Sequence, residues 1–419
     1  MTPGNVTREN VTREDVAALD AADPLAPVRA RFVLPEGVTY LDGNSLGALP
    51  ATTSTRMRAV IEEEWGRSLV GGWNDHDWVG AARRLGGRIA PLIGAAPEGV
   101  VAADSTSVNL YKLIVAALKA RPGRRVILSE PGNFPTDLYM ADGAAWTVGG
   151  TEVRTVPAER IVEAIDGEVA VVLLTHVHYK TGYRHDMAAI TRAAHEKGAL
   201  MLWDLSHSVG AVPVDLAGCD ADLAVGCGYK YLNGGPGAPA FLYVAPRLQA
   251  ELRSPLSGWF GHAAPFDFGD DYAPAADIGR FQCGTPPILA LAALEEGVSI
   301  FEAVNLDAVW AKSRRLCSLF IELMDARCSD FGFALVTPRD PALRGSHVSY
   351  AHPHAYAICQ ALIARGVVGD FRAPDVLRLG FTPLYTRYAD VWNAVDTIAA
   401  AMASGEWDQP RFRVRAAVT

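Results

Sequence analysis

The chain has 419 residues, half of them hydrophobic, and a formal net charge of -9. That length supports a large core and two domains, while an acidic balance without blocks of like charge argues against a nucleic-acid footprint or a polybasic membrane patch. No apolar run is long enough to span a bilayer.

Taken in order, Met1-Thr2-Pro3-Gly4-Asn5 lacks the basic and apolar regions of a signal peptide, so a cytosolic protein is expected. The pentapeptide Asn-Val-Thr-Arg-Glu occurs at Asn5 to Glu9 and again at Asn10 to Glu14. It is too short for a structural repeat and reads as a mobile N-terminal extension. Apolar runs then alternate with helical patterns. Strands are expected at Gly99 to Ala102, Arg125 to Leu128, Val169 to Leu174, Leu200 to Trp203, Leu223 to Val225 and Ala240 to Val244. Several are apolar throughout, as in strands covered on both faces. Between them, Val108 to Ala120 places Leu110, Leu113, Ile114, Ala117 and Leu118 on one helical face, and Ala188 to Lys197 is a helix stopped by Gly198. The alternation predicts an α/β fold with a mostly parallel sheet. After about residue 300 the pattern changes: a long helix Phe301 to Ala326, strands Ala334 to Thr337 and His347 to His352, a helix Ala355 to Arg365, a segment Leu377 to Phe381, and a last helix Ala389 to Met402. The expected division is an N-terminal segment (1–40) packing with the small domain, a large α/β domain (41–300) and a smaller α+β domain (301–419).

In open α/β sheets, ligands sit beyond the carboxyl ends of the strands. Five consecutive predicted strands end there in polar or aromatic residues. Asp104-Ser105-Thr106-Ser107 opens a helix whose hydroxyls and free N–H groups suit a phosphate, or serve as a plain N-cap. Phe134-Pro135-Thr136-Asp137 offers a ring to stack on a flat cofactor, or a turn with a packed phenylalanine. Thr175 follows the third strand, and Asp204 and His207 the fourth. Lys230 follows the fifth, in Gly228-Tyr229-Lys230-Tyr231-Leu232-Asn233-Gly234-Gly235-Pro236-Gly237. A buried lysine and a buried acid at neighbouring strand ends suit pyridoxal phosphate (PLP), the lysine holding its aldehyde as a Schiff base and the acid keeping its ring nitrogen protonated.

Competing motifs fall short. His176-Val177-His178 lacks a third ligand with zinc spacing, so no metal is expected. Gly234-Gly235-Pro236-Gly237 is not followed by Gly-Lys-Ser/Thr, no G-x-G-x-x-G opens a helix after the first strand, and no G-x-S-x-G elbow occurs. The six cysteines (Cys219, Cys227, Cys283, Cys317, Cys328, Cys359) have no C-x-x-C spacing and read as reduced, mostly structural thiols.

From about Tyr40 to Tyr385 the sequence resembles the kynureninases, fold-type-I PLP enzymes of tryptophan catabolism, in their bacterial form. The likeness rests on Asp42-Gly43-Asn44-Ser45-Leu46-Gly47, Phe134-Pro135-Thr136-Asp137, Asp204-Leu205-Ser206-His207-Ser208, the Lys230 loop, Gly258-Trp259-Phe260-Gly261, Phe281-Gln282-Cys283-Gly284-Thr285-Pro286-Pro287 and Leu377-Arg378-Leu379-Gly380. It implies PLP-dependent hydrolysis of L-kynurenine to anthranilate and L-alanine, with Lys230 carrying the cofactor and shuttling protons. It further implies Asp204 at the pyridine nitrogen, Asp137 close to the ring and Phe134 stacked on it. Thr106, Ser107, Thr175, His207 and Tyr229 would surround the ring and phosphate, with Tyr229 an acid/base candidate or only a phosphate contact. Trp259 and Thr285 would reach the partner's cofactor in a homodimer with shared active sites. Arg378 would grip the α-carboxylate through its planar fork, with Ser45 and Trp73 bordering the aromatic end; Trp78 is the other candidate aromatic. Tryptophan and threonine at positions 73 and 285 match bacterial members preferring kynurenine over its ring-hydroxylated form. The rival readings are a cysteine desulfurase or aminotransferase of the same fold type, and a non-catalytic PLP-binding module. A desulfurase needs an exposed nucleophilic cysteine on a mobile loop, whereas Cys328 and Cys359 read as helix-end and helix-interior residues.

Overall fold

Six of the seven strands of the large sheet are buried along their whole length, which is why they read as unbroken apolar runs. The computed structural model describes residues 11–415. The strands are β1 (Val100–Ala102), β2 (Val126–Ser129), β3 (Glu152–Thr155), β4 (Val169–Thr175), β5 (Leu200–Asp204), β6 (Leu223–Gly226) and β7 (Phe241–Val244). Their order across the sheet is β1-β7-β6-β5-β4-β2-β3. Only β7 runs against the others. The predicted α/β class with a mostly parallel sheet therefore holds. Strand β3 was not expected. It is the edge strand, partly exposed with Glu152 and Arg154 on it, and such charged edges do not register as apolar runs.

A second sheet lies after residue 330, entirely antiparallel: β8 (Ala334–Leu335), β9 (His347–Ala351), β10 (Asp370–Arg372) and β11 (Val376–Gly380), in the order β8-β9-β11-β10. Helices Leu306–Arg327, Ala355–Ala364 and Tyr388–Ser404 share a core with it through Leu316, Phe320, Val348, Ile358, Leu379, Val391 and Val395. The expected single helix from Phe301 to Ala326 is corrected. One helix ends at Phe301 and another starts at Leu306, because the Asn305 side chain accepts the Asp307 N–H at 2.8 Å and caps a fresh N-terminus. The apolar period runs across that break, so the pattern alone does not show it. Strand β8 is also shorter than expected, since the Thr337 hydroxyl takes the Ser349 N–H that a longer ladder would use.

The first copy of the duplicated pentapeptide lies outside the described residues. Of the second copy, residues 11–14 are described, and they do not form a mobile extension. Thr12 and Asp15 cap helix Arg13–Ala21 reciprocally. That helix buries Val16 in the core of the small antiparallel sheet, while Asp20 accepts the first N–H groups of helix Tyr388–Ser404 at 2.7 and 2.9 Å. Among the described residues no helix is long and apolar enough to cross a membrane.

Candidate active site

Because β1, β2, β4, β5 and β6 run in one direction, their carboxyl ends open on one side. A pocket there is lined by Thr106, Ser107, Phe134, Asp204, Tyr229 and Lys230, with Ser105, Thr136, Ser206, Cys227, Ala238 and Ala240. Helix Thr106–Ala120 begins at it. Ser105 caps that helix through Val108 N, so the first N–H groups of the helix remain available to an anion. Asp104 turns the chain with a left-handed φ of 52°. Its carboxylate would repel a phosphate, but Lys112, with its side chain wholly buried, reaches back from the second turn to Asp104 Oδ2 at 2.7 Å and to the Phe281 carbonyl at 2.5 Å.

The Lys230 Nζ lies 3.0 Å from His207 Nε2 and 5.4 Å from the Phe134 ring centre. Burial foremost, and then the lysine charge, push the His207 pKa well down, so the imidazole is neutral. Asp204 receives the Ser206 N–H at 2.7 Å. Asp137, from helix Pro135–Val148, approaches the Thr175 hydroxyl at 3.4 Å and leaves Oδ1 without a partner. Burial raises both carboxyl pKa values, and Asp204 raises that of Asp137 further. Two buried carboxylates therefore face one lysine, and one carboxylate oxygen lacks a donor. A protonated heteroaromatic nitrogen beside Asp204 supplies the missing positive charge, and the helix terminus suits a phosphate, so these residues fit PLP. Phe134, Thr175 and Asn133 tie this wall together: Thr175 bonds to Asn133, whose side chain also accepts the Phe134 N–H at 2.8 Å.

Beside the lysine loop, loop 42–47 packs against the small antiparallel sheet. Gly47 N–H donates to the Tyr229 carbonyl at 2.7 Å, and a Cβ at Gly47 would lie 2.3 Å from the Lys230 carbonyl oxygen. Only glycine lets this loop lie on the lysine loop. Ser45 thereby meets Arg378. Asp370 on β10 stands opposite Arg378 on β11, and the pair bonds through Arg378 Nε to Asp370 Oδ1 at 2.8 Å and through Nη2 to Oδ2. Ser45 Oγ donates to Asp370 Oδ2 at 2.8 Å and accepts from Arg372 at 3.2 Å and Arg378 at 3.0 Å. Burial works against the ionised Asp370, but Arg378 and Arg372 hold its pKa below the ordinary value. Asp42 beside it is pushed up to about 7, by burial first and by Asp370 second.

That shift has a stability consequence. A folded pKa of about 7 for Asp42, against about 3.9 for an unfolded aspartate, means the folded chain holds the proton more tightly. Its contribution is complete below pH about 4 and is lost as pH rises towards about 7. Melting temperature is expected to fall less steeply in Asp42→Asn than in the parent between pH 5 and 7.5; equal slopes would contradict it.

Asp370, Arg372, Asn133, Lys112 and Asp42 were not among the sequence-derived site residues. Asp370 and Arg372 alternate on one short strand, the single signal that pointed to them. Trp73, Trp259 and Thr285 neither line the lysine pocket nor hydrogen-bond to the groups around it. Trp73 packs against Phe260 and Trp78, each with ring centres 5.7 Å apart. Trp78 is buried, donates to Glu64 at 3.1 Å and packs so close to Gly72 that a Cβ there would lie 2.5 Å from its ring, whereas Trp73 is half-buried. Trp259 is 41% exposed beside Phe266 (47%) and Phe268 (75%). Thr285 is exposed on a neighbouring cavity that Tyr229 also lines.

Residues 309–398 match the family model described as kynureninase C-terminal domain. The chain is similar to the kynureninase of Pseudomonas fluorescens, 52% identical over 408 residues, covering 96% of this chain and 98% of that protein. It is 51% identical over 409 residues to the kynureninase of Burkholderia mallei (strain SAVP1), with the same coverage. Among solved structures, a cysteine desulfurase from Thermococcus onnurineus NA1 superposes with a TM-score of 0.77 at 20% identity, covering 90% of this chain and 98% of that one. A C-DES variant with glycine covalently linked to its PLP cofactor superposes at 0.76 with 15% identity, covering 88% and 98%. These structures bear on the fold alone.

Proposed function

The chain belongs to the kynureninase family, and from that premise we propose that it hydrolyses L-kynurenine to anthranilate and L-alanine with PLP held on Lys230. The observation that carries the reading is the buried trio of Lys230, Asp204 and Asp137 around a pocket headed by a helix N-terminus. When bound, PLP supplies an electron sink for the bonds at the substrate α-carbon. Lys230 would hold it through Nζ, Thr106 and Ser107 would receive its phosphate, Phe134 and His207 would flank it, and Asp204 would keep its nitrogen protonated.

The protein's own groups then do the rest. Arg378 takes the substrate carboxylate. Lys230 Nζ, once released, takes the α-proton, its lone pair directed by neutral His207. Water adds to the substrate γ-carbonyl, and as the Cβ–Cγ bond of that hydrate breaks the acyl half leaves as anthranilate; Tyr229, its phenol kept protonated by burial, can donate the proton that Cβ needs to become the alanine methyl. Trp73 borders the aromatic end, whereas Ser45, expected there too, bonds to Arg378 at 3.0 Å and so stands at the carboxylate end. Trp259 and Thr285 face outward within one chain, which supports a homodimer in which they complete the partner's site. We place the enzyme in the cytoplasm and the domain division near residues 40 and 300.

A desulfurase is disfavoured because all six cysteines are buried or half-buried, and burial raises each thiol pKa away from thiolate. Purified protein given PLP and L-kynurenine is expected to release fluorescent anthranilate and alanine in equal amounts. A keto acid without alanine, or sulfide from cysteine, would replace this reading with transamination or desulfuration.

A further inference from the structure

The carboxylate-binding guanidinium is already engaged. A guanidinium has five N–H donors in a fixed plane, and Arg378 spends four on protein oxygens. Its Nε/Nη2 edge faces the Asp370 carboxylate, with bonds to both oxygens. Its Nη1/Nη2 edge faces two neutral oxygens, the Tyr179 carbonyl at 2.6 Å from Nη1 and Ser45 Oγ at 3.0 Å from Nη2. The two edges differ in kind. Asp370 is 1% exposed, sits in sheet register opposite Arg378, and is also bonded by Arg372 at 2.6 Å and by Ser45. It cannot swing aside. The Tyr179 carbonyl and Ser45 belong to loops outside both sheets, and bonds from a guanidinium to neutral oxygens are weaker than bonds to a carboxylate. Two guanidinium groups against Asp370, with Asp42 beside it held protonated below pH about 7, also leave positive charge for a second carboxylate to meet.

We propose that Asp370 is a positioning residue for substrate capture: it holds Arg378 by the Nε/Nη2 edge and so reserves the Nη1/Nη2 edge for the substrate α-carboxylate, which replaces Ser45 Oγ and the Tyr179 carbonyl. This rests on the reading of Arg378 as the carboxylate clamp. Capture then involves a local retreat of the 45 and 179 loops while the guanidinium plane stays fixed.

The test compares Asp370→Asn, Asp370→Glu and Arg378→Lys in the PLP-loaded enzyme, reading KM and kcat for L-kynurenine, cofactor absorbance, and inhibition by acetate. Asp370→Asn removes the bidentate hold while adding net positive charge. The expected result is a KM raised roughly 10- to 100-fold, the size of one lost hydrogen bond to a charged group, with kcat within about threefold, cofactor absorbance unchanged and acetate inhibition as strong or stronger. Asp370→Glu keeps the charge but pushes the guanidinium out by one methylene, and its KM is expected to rise several-fold. A lowered KM in Asp370→Asn would show that the aspartate only repels the substrate. An unchanged KM in Asp370→Glu would show that its charge alone matters, and parallel loss of kcat and cofactor would reduce it to a structural residue. Each overturns the proposal. If Arg378→Lys also leaves KM unchanged, the clamp reading itself fails; if it raises KM while the Asp370 variants do not, only the positioning role is lost.

Discussion

Lys230→Ala is expected to lose both turnover and the near-visible absorbance of cofactor attached through Nζ. On the proposed reading the lysine serves twice, as the covalent anchor and as the base that takes the α-proton. Losing a placed acid/base group alone costs roughly 10²–10⁴-fold in rate, and losing the anchor adds to that. Added methylamine can replace the base in part but not the tether, so any rescue should be small and should saturate with amine. The geometry requires the effect to be local. Nζ touches His207 at 3.0 Å and lies near Phe134 and Tyr229 at a cavity, so truncation opens space without stripping a packed core residue. The melting temperature of the cofactor-free variant should therefore stay near that of the cofactor-free parent. A variant that keeps normal absorbance and turnover would move the anchor elsewhere and end the present assignment.

Asp204→Asn carries the second largest effect. Asparagine keeps the shape and can still accept the Ser206 N–H, but it cannot hold a proton on the ring nitrogen. Burial raises the Asp204 pKa within the protein alone, with Ser206 and Lys230 opposing it. A cationic ring nitrogen reverses that balance and fixes the carboxylate as an anion. Removing one preorganised charged partner from a buried site costs roughly 10²–10³-fold in kcat. The cofactor should remain bound, because Lys230 and the helix terminus at Thr106 are untouched. Turnover within a few-fold of the parent, with cofactor in place, would show that the ring nitrogen is served by another group, and Asp137 is the neighbour to examine.

Much of this site was legible in the amino-acid order because of what parallel sheets demand. A strand covered on both faces must be apolar, so the first polar residue after each run marks its carboxyl end. Thr175 and Asp204 were read in that way, and Thr106 and Lys230 lie in the loops that follow two other such strand ends. The helix break at Asn305 was not legible, since the apolar period continues through a turn held by one side-chain bond. Strand β3 was missed for the opposite reason: an edge strand tolerates Glu152 and Arg154 and carries no apolar signature.

What the order of residues settled by itself is the inventory: an α/β chain, a lysine and an acid at successive strand ends, and an arginine near the end able to take a carboxylate. Tertiary structure alone decided how that inventory is wired. Residues 45, 179, 370 and 378 meet only because a glycine lets one loop lie on the lysine loop and because two short strands pair in register. A guanidinium has several edges, and which of them is left for an incoming anion depends on neighbours that the fold brings from far along the chain; local propensity and periodicity carry no record of such contacts.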